Sequence, residues 1–180
     1  MSTWLLILII VVAVLLIGAI AASMARRRRT ANLREGFGPE YDRTVAEAGD
    51  RSAAEHELRE RQARHDELDL RPLDELTRAR YVDEWQATQA TFVDDPQAAI
   101  THADGLIQRV MRDRGYPVED FEDRAAIVSV DHPAVVEQYR RAHAIAMVSG
   151  EGRAETEDLR QAMQDYRSLF TELVETTEVR

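Results

Sequence analysis

The longest apolar stretch of the chain covers residues 4–22, which contain no charge, no proline and a single glycine, Gly18. A hydrocarbon core of about 30 Å needs roughly 20 apolar residues in a helix, because lipid offers no partner for unpaired backbone groups. The stretch therefore predicts a transmembrane helix, with residues 1–25 as the anchor. A cleaved secretory signal is the alternative, since residues 21–25 offer small side chains, but no basic residue precedes the stretch.

Beyond the anchor, the apolar positions are sparse until Pro72. Two glycines and a proline over residues 30–40 predict a hinge. Residues 41–68 are densely charged, and opposite charges recur four residues apart, which makes them neighbours on a helix. We expect residues 26–71 to form a basic juxtamembrane segment and then a charged, solvated helical stalk or linker. A coiled-coil dimerisation arm is the alternative, although no heptad repeat persists.

From Pro72 onward, apolar residues recur at helical spacing in five segments, one of them short. Asp95-Pro96 predicts a capped helix start, and Gly115 predicts a left-handed cap at the end of the same helix. No segment alternates like a strand. The predicted fold class is therefore all-α: an N-terminal transmembrane helix, a charged helical stalk, and a compact bundle of four to five helices over residues 72–180.

Four consecutive arginines, Arg26, Arg27, Arg28 and Arg29, follow the apolar stretch. Basic residues favour the cytoplasmic side of a membrane, so we expect the N-terminus outside and the C-terminal domain in the cytoplasm. The arginines are also placed to meet anionic lipid headgroups. A domain that faces the cell envelope, either released or anchored there, is the alternative.

The rest of the chain is strongly acidic. The formal charge is −10, from 23 basic residues against 33 acidic ones, and every acidic residue follows Arg29. Without the four arginines, 19 basic residues remain against 33 acidic ones, a charge of −14. Such a surface repels phosphate backbones, so we expect no nucleic-acid partner.

The composition removes several kinds of active site. The chain has no cysteine, which excludes disulfides, thiolate metal sites, iron–sulfur clusters and cysteine nucleophiles. Every basic residue is arginine, which removes lysine nucleophiles. His132 and His143 share one predicted helix but lie about 16 Å apart along it, too far to bind one metal. We therefore expect no metal and no cofactor, and no nucleotide-binding or hydrolase motif indicates a reaction.

Two features leave room for a small ligand. Residues 129–133, Ser-Val-Asp-His-Pro, predict a helix start capped by Asp131 or His132, and an aspartate beside a histidine there is also able to hold an anion. His143 interrupts an apolar helix face, either as a buried core histidine or as a catalytic base. Structural packing is the plainer interpretation in each case. The candidate pocket residues are His132, Tyr139, Arg140, His143 and Trp85.

The sequence WQATQATFVDDP over residues 85–96, with RGYP at 114–117 and SVDHP at 129–133, resembles a family of uncharacterised actinobacterial membrane proteins. The resemblance covers the anchor and most of the chain after residue 80. It implies a single-pass membrane protein with a helical cytoplasmic domain. It implies no reaction, ligand or catalytic residue.

These observations favour a non-enzymatic interaction or scaffold module, held at the inner membrane face and binding a protein partner whose identity the sequence leaves open. The alternative is a ligand-binding or enzymatic helical domain with a pocket near His132, Tyr139 and His143.

Overall fold

The computed structural model describes residues 3–175, and this part of the chain is all-helical without a strand. The predicted all-α fold is confirmed. The helices of this region are α1 (Thr3–Phe37), α2 (Pro39–Ala48), α3 (Arg51–Asp66), α4 (Glu75–Asp94), α5 (Pro96–Arg114), α6 (Phe121–Asp131), α7 (Val136–Gly150) and α8 (Thr156–Glu175).

Helix α1 is long and apolar enough to span a membrane. Side chains from Ile10 to Arg29 are exposed on every side of the helix. An apolar surface all round a helix suits lipid better than water. The predicted hinge over residues 30–40 is wrong for most of its length, because α1 continues to Phe37 and the chain turns at Gly38. Leu33 and Phe37 are buried one helical turn apart, and this packing holds the last turns of α1 in place.

Helices α2 and α3 form a hairpin that packs against the end of α1. Gly49 adopts a φ of 66°, a left-handed conformation that ends α2 and lets the chain reverse. A small apolar cluster joins the three helices and also contacts Val130 of α6; its buried members are Leu33, Phe37, Tyr41 and Leu58. The charged segment is therefore helical, as expected, but it is packed against α1 and α6 rather than standing free in solvent.

Helices α4 to α8 form the bundle, with α5 packed against α4, α7 and α8. Helix α5 begins as predicted: the Asp95 carboxylate accepts a hydrogen bond from the Ala98 N–H at 3.0 Å. It ends as predicted at Gly115, whose φ is 96°. Helix α4 buries fewer of its apolar positions than its sequence indicates, because Leu76 and Val93 are exposed.

The helix start predicted over residues 129–133 is wrong. Helix α6 runs through these residues to Asp131, and His132 closes it, with its backbone N–H bonded to Val128 O at 2.9 Å. Helix α7 begins only at Val136, and no side chain caps it. The Asp131 carboxylate does not cap a helix because it accepts hydrogen bonds from Tyr116 and His65 instead.

Candidate functional site

Two of the predicted pocket residues serve as buried packing and hydrogen-bonding groups. Trp85 stacks on Phe170 of α8, with ring centroids 4.8 Å apart. The Tyr139 hydroxyl is fully buried and accepts a hydrogen bond from Arg124 Nε at 2.7 Å. Aromatic contacts of this kind are typical of a helical core.

His143 belongs to a polar network centred on Asp104. Asp104 Oδ1 accepts a hydrogen bond from the Tyr166 hydroxyl at 2.8 Å and lies 3.3 Å from His143 Nδ1. Burial alone would raise the pKa of Asp104, but the hydrogen bonds from His143 and Tyr166 hold that pKa below its usual range. The His143 ring stacks on Phe121 at 3.8 Å, and the same phenylalanine contacts Tyr139. The structure therefore brings Tyr139 and His143 together around one aromatic ring.

His132 lies elsewhere, at the end of α6, and is 4 % exposed. Its Nδ1 is 3.4 Å from a carboxylate oxygen of Glu172 on α8. Burial lowers the pKa of His132, and the positive charge of Arg114 adds to this effect, against the raising influence of Asp131. His132 is thus a buried residue of the joint between α6 and α8.

Arg140 leads to a cluster of buried charges whose members lie on three different helices. It binds both carboxylate oxygens of Glu40, at 2.7 and 2.9 Å. Arg61 Nη1 donates to the same carboxylate at 2.8 Å, and Arg43 lies 3.5 Å from it. Glu40 is 2 % exposed. We call Glu40, Arg43, Arg61 and Arg140 the Glu40 cluster; it ties α2 and α3 to α7.

A second buried group ties α3 to the bundle. Asp131 Oδ2 accepts a hydrogen bond from the Tyr116 hydroxyl at 2.6 Å. The same oxygen lies 2.7 Å from His65 Nε2. His65 is 5 % exposed, so this bond lies inside the protein rather than at its surface. Hydrogen bonds to an ionised group are stronger than those between neutral groups. The contacts of Asp131 and the Glu40 cluster together hold α3 against α6 and α7.

The tyrosines also form hydrogen bonds that join helices. Burial is the main reason that the pKa of every tyrosine in the chain is raised, to about 12 for Tyr81. Four of the five hydroxyls also donate to a carboxylate: Tyr41 to Glu55, Tyr81 to Asp113, Tyr116 to Asp131 and Tyr166 to Asp104.

Two cavities border the Glu40 cluster, and Arg140 is the one predicted pocket residue that lines either of them. One of about 340 Å³ is lined by Pro39, Glu40, Arg43, Pro133 and Glu137. Another of about 250 Å³ lies between charged side chains of α2, α3, α6 and α7, and Arg140 is part of its wall. Neither is lined by Trp85, His132, Tyr139 or His143. The proposed ligand pocket stays a prediction, and the five candidate residues occupy several different joints.

Within residues 3–175, no group of three or more His, Asp or Glu side chains is arranged to hold a metal ion. Many charged residues of the region are instead paired with one another, as Glu40 is with Arg61 and Arg140. The Glu40 cluster, the Asp104 network and the group formed by Asp131, His65 and Tyr116 are the polar arrangements that join helices at these positions.

One signal in the sequence indicates these buried charges. The buried positions of α3 are Ala54, Leu58, Arg61 and His65, which recur every three to four residues. Arg61 and His65 thus continue the apolar face of the helix, and a polar residue in such a position needs a buried partner. The partners Glu40 and Asp131 are distant in sequence, so the spacing alone does not identify them.

No protein-family model, curated protein or solved structure matches the chain. The resemblance to actinobacterial membrane proteins therefore stays a prediction.

Proposed function

We propose that this protein is a membrane-anchored, non-enzymatic interaction module. In this proposal α1 crosses the membrane with its N-terminus outside, and the acidic helical body lies at the inner face, where it binds a protein partner. Arg26 to Arg29 support the orientation, because basic residues next to a span favour the cytoplasm. The negative charge of the body fits a partner with a basic surface.

The observation that carries the proposal is the continuity of α1 with the folded body. Leu33 and Phe37 are buried in the cluster shared with Tyr41 and Leu58, only a few residues after the arginines. The Thr30 hydroxyl also donates to Glu55 of α3 at 2.8 Å. A membrane helix fixed in this way to the body at its C-terminal end holds the body at a set distance and orientation from the membrane. A binding surface presented in a fixed orientation is what an anchored scaffold requires.

The polar chemistry of the interior also supports a structural role. The carboxylates of Glu40, Asp104 and Asp131 each bind at least two protein side chains. A catalytic acid or base needs access to a substrate proton. These carboxylates are directed at residues of neighbouring helices and stabilise the joints between them.

Two experiments on the full chain test the proposal. A reporter enzyme that works only outside the cytoplasm, fused at Arg180, is expected to stay inactive; activity there would overturn the orientation. A photo-crosslinking residue at Leu76 or Val93, whose side chains are 84 % and 82 % exposed, is expected to give one recurring protein adduct in intact cells. The same residue at Ile10, within the apolar part of α1, is the control for contact with lipid alone. If the body positions give no more protein adducts than Ile10, the interaction role is wrong.

A further inference from the structure

The packing of α3 along α1 determines which part of the body lies nearest the anchor. Thr30 of α1 bonds to Glu55 of α3, an offset of 25 residues. Leu33 and Leu58 share one buried cluster and have the same offset. The two helices therefore run side by side in the same direction, rising about 1.5 Å per residue. The offset of 25 residues also applies towards the beginning of both helices, so Arg51, the first residue of α3, is level with Arg26.

The hairpin between α1 and α2 leads independently to the same level. These helices run in opposite directions from Gly38, and Arg34 Nη2 bonds to Asp42 Oδ1 at 2.9 Å. Each residue back along α1 is matched by one forward along α2. By this count Asp50, at the end of the hairpin, is level with Arg26. Two separate contacts thus agree on the height of the turn between α2 and α3.

We infer that this turn, residues 48–53, rests on the same membrane surface as Arg26 to Arg29, and that Arg51 binds anionic lipid headgroups there. The inference builds on the proposed function, since it requires α1 to cross the membrane. Arg26 is the first charged residue after the apolar stretch, so its level marks the headgroup region. The body is then attached to the membrane at two places, the anchor helix and the turn.

The composition of the turn suits contact with a lipid surface. All six residues from 48 to 53 are exposed, and four of them are small: Ala48, Gly49, Ser52 and Ala53. The Asp50 carboxylate is engaged as the N-cap of α3 and accepts a hydrogen bond from the Ala53 N–H at 2.8 Å. Arg51 stands in the first turn of α3, where a cation opposes the helix dipole; the residue is exposed, and its side chain also contacts the Tyr41 hydroxyl. An anionic surface beside it offsets that unfavourable position.

A tilted anchor does not remove the contact. Transmembrane helices tilt by about 20° on average, and packed helices lie about 10 Å apart. Such a tilt moves α3 by about 3 Å relative to α1 along the membrane normal. By comparison, Ala63, at the other end of α3, lies about 16 Å beyond Ser52. The turn and the far end of α3 are therefore distinguishable at any ordinary tilt.

The absence of cysteine from the chain makes site-directed labelling direct. Single variants Ala25→Cys, Ser52→Cys and Ala63→Cys of the full chain would carry a nitroxide in nanodiscs of phosphatidylglycerol and phosphatidylcholine. All three native side chains are small and exposed. Collision rates with oxygen and with a water-soluble nickel chelate measure the depth of each label. We expect Ala25 and Ser52 to report headgroup depth and Ala63 to lie in water, with several-fold higher access to nickel.

A charge variant tests the role of Arg51. Arg51→Gln is expected to shift the equilibrium between the membrane-bound and the free turn about fivefold towards the free turn. The nitroxide at position 52 reports this shift in discs that contain phosphatidylglycerol. Arg59→Gln, an exposed position farther along α3, is the matched control and is expected to change nothing. Equal effects of the two substitutions would overturn the assignment of Arg51.

The outcomes separate this inference from the proposed function. If Ala25 is at headgroup depth while Ser52 is as accessible to nickel as Ala63, the membrane-resting turn is wrong and the anchor stands. If Ala25 is also fully in water, or the chain does not enter the nanodiscs, the anchor and the turn contact both fail.

Discussion

Replacing Glu40 by glutamine should release the α2–α3 hairpin from the bundle. The substitution keeps the shape of the side chain but removes the charge that Arg61 and Arg140 share. The two arginine side chains are 7 % and 10 % exposed. Removing one partner of a buried ion pair typically costs about 3–5 kcal/mol, because the remaining charge stays buried without compensation. Arg61 keeps its pair with Glu57 in this variant, so the uncompensated charge is that of Arg140. We therefore expect a loss of this size in the free energy that holds residues 39–66 closed.

Hydrogen exchange measured by mass spectrometry on the full chain in nanodiscs gives the local effect. A loss of about 3–5 kcal/mol corresponds to faster exchange of the α2 and α3 amides by roughly two to three and a half orders of magnitude. Glu47→Gln is the control, since Glu47 pairs with Arg43 at 2.7 Å but is 54 % exposed. An exposed pair contributes about 0.2–1 kcal/mol, so this change should alter exchange by less than about tenfold.

The comparison of the two variants decides whether the reasoning holds. If the α2 and α3 amides exchange as slowly in Glu40→Gln as in Glu47→Gln, Arg61 and Arg140 must have found other partners. Water in the adjoining cavities would then be the obvious replacement. In that case the Glu40 cluster does not fasten the hairpin to the bundle.

Three further predictions concern stability. Gly115→Ala should lower the free energy of unfolding by more than about 1 kcal/mol, because φ is 96° and the new Cβ would lie 2.5 Å from Asp69 O. Gly105→Ala, inside α5 with its nearest neighbour at 3.7 Å, should raise the free energy of unfolding by about 0.5–1 kcal/mol. Urea unfolding followed by circular dichroism measures both variants. Equal destabilisation by the two substitutions would contradict the conformational argument. Leu58→Ala should cost about 2–5 kcal/mol and the exposed Leu76→Ala less than about 0.5 kcal/mol, whereas similar small losses would mean that α3 is not packed. Since folding raises the pKa of all five tyrosines, the stability that their neutral forms provide is complete below about pH 10 and is lost as the pH rises towards their folded pKa values. Absorbance at 295 nm should therefore show tyrosine ionising together with alkaline unfolding, and a titration centred near pH 10 with helicity retained would refute this.

Local signals predicted most helix boundaries of the bundle and failed at the joint with α1. Asp95-Pro96 and Gly115 mark the ends of α5 correctly, because caps depend on residues a few positions apart. The two glycines and proline after the arginines predicted a hinge, yet only Gly38 interrupts the helix. The burial of Leu33 and Phe37 outweighs the modest cost of a glycine in a helix.

The residues singled out for chemistry show the same division. Tyr139 and Trp85 were named as candidate pocket residues, and both lie in the core. The partners of Arg140 and His65 are 100 and 66 residues away, so spacing along the chain carries no information about them. Asp131 looked like a helix cap beside His132 and proved to be the acceptor for Tyr116 and His65.

The sequence alone was enough to predict the long apolar helix with its flanking arginines, and the number and order of the helices in the bundle. Each depends on the periodicity, charge or capping of residues close together in the chain. Only the tertiary structure decided that the charged segment after the apolar helix is packed, because its apolar face is short and is completed by buried polar pairs. Those pairs form between helices distant in sequence, and their geometry emerges only once the helices are packed together.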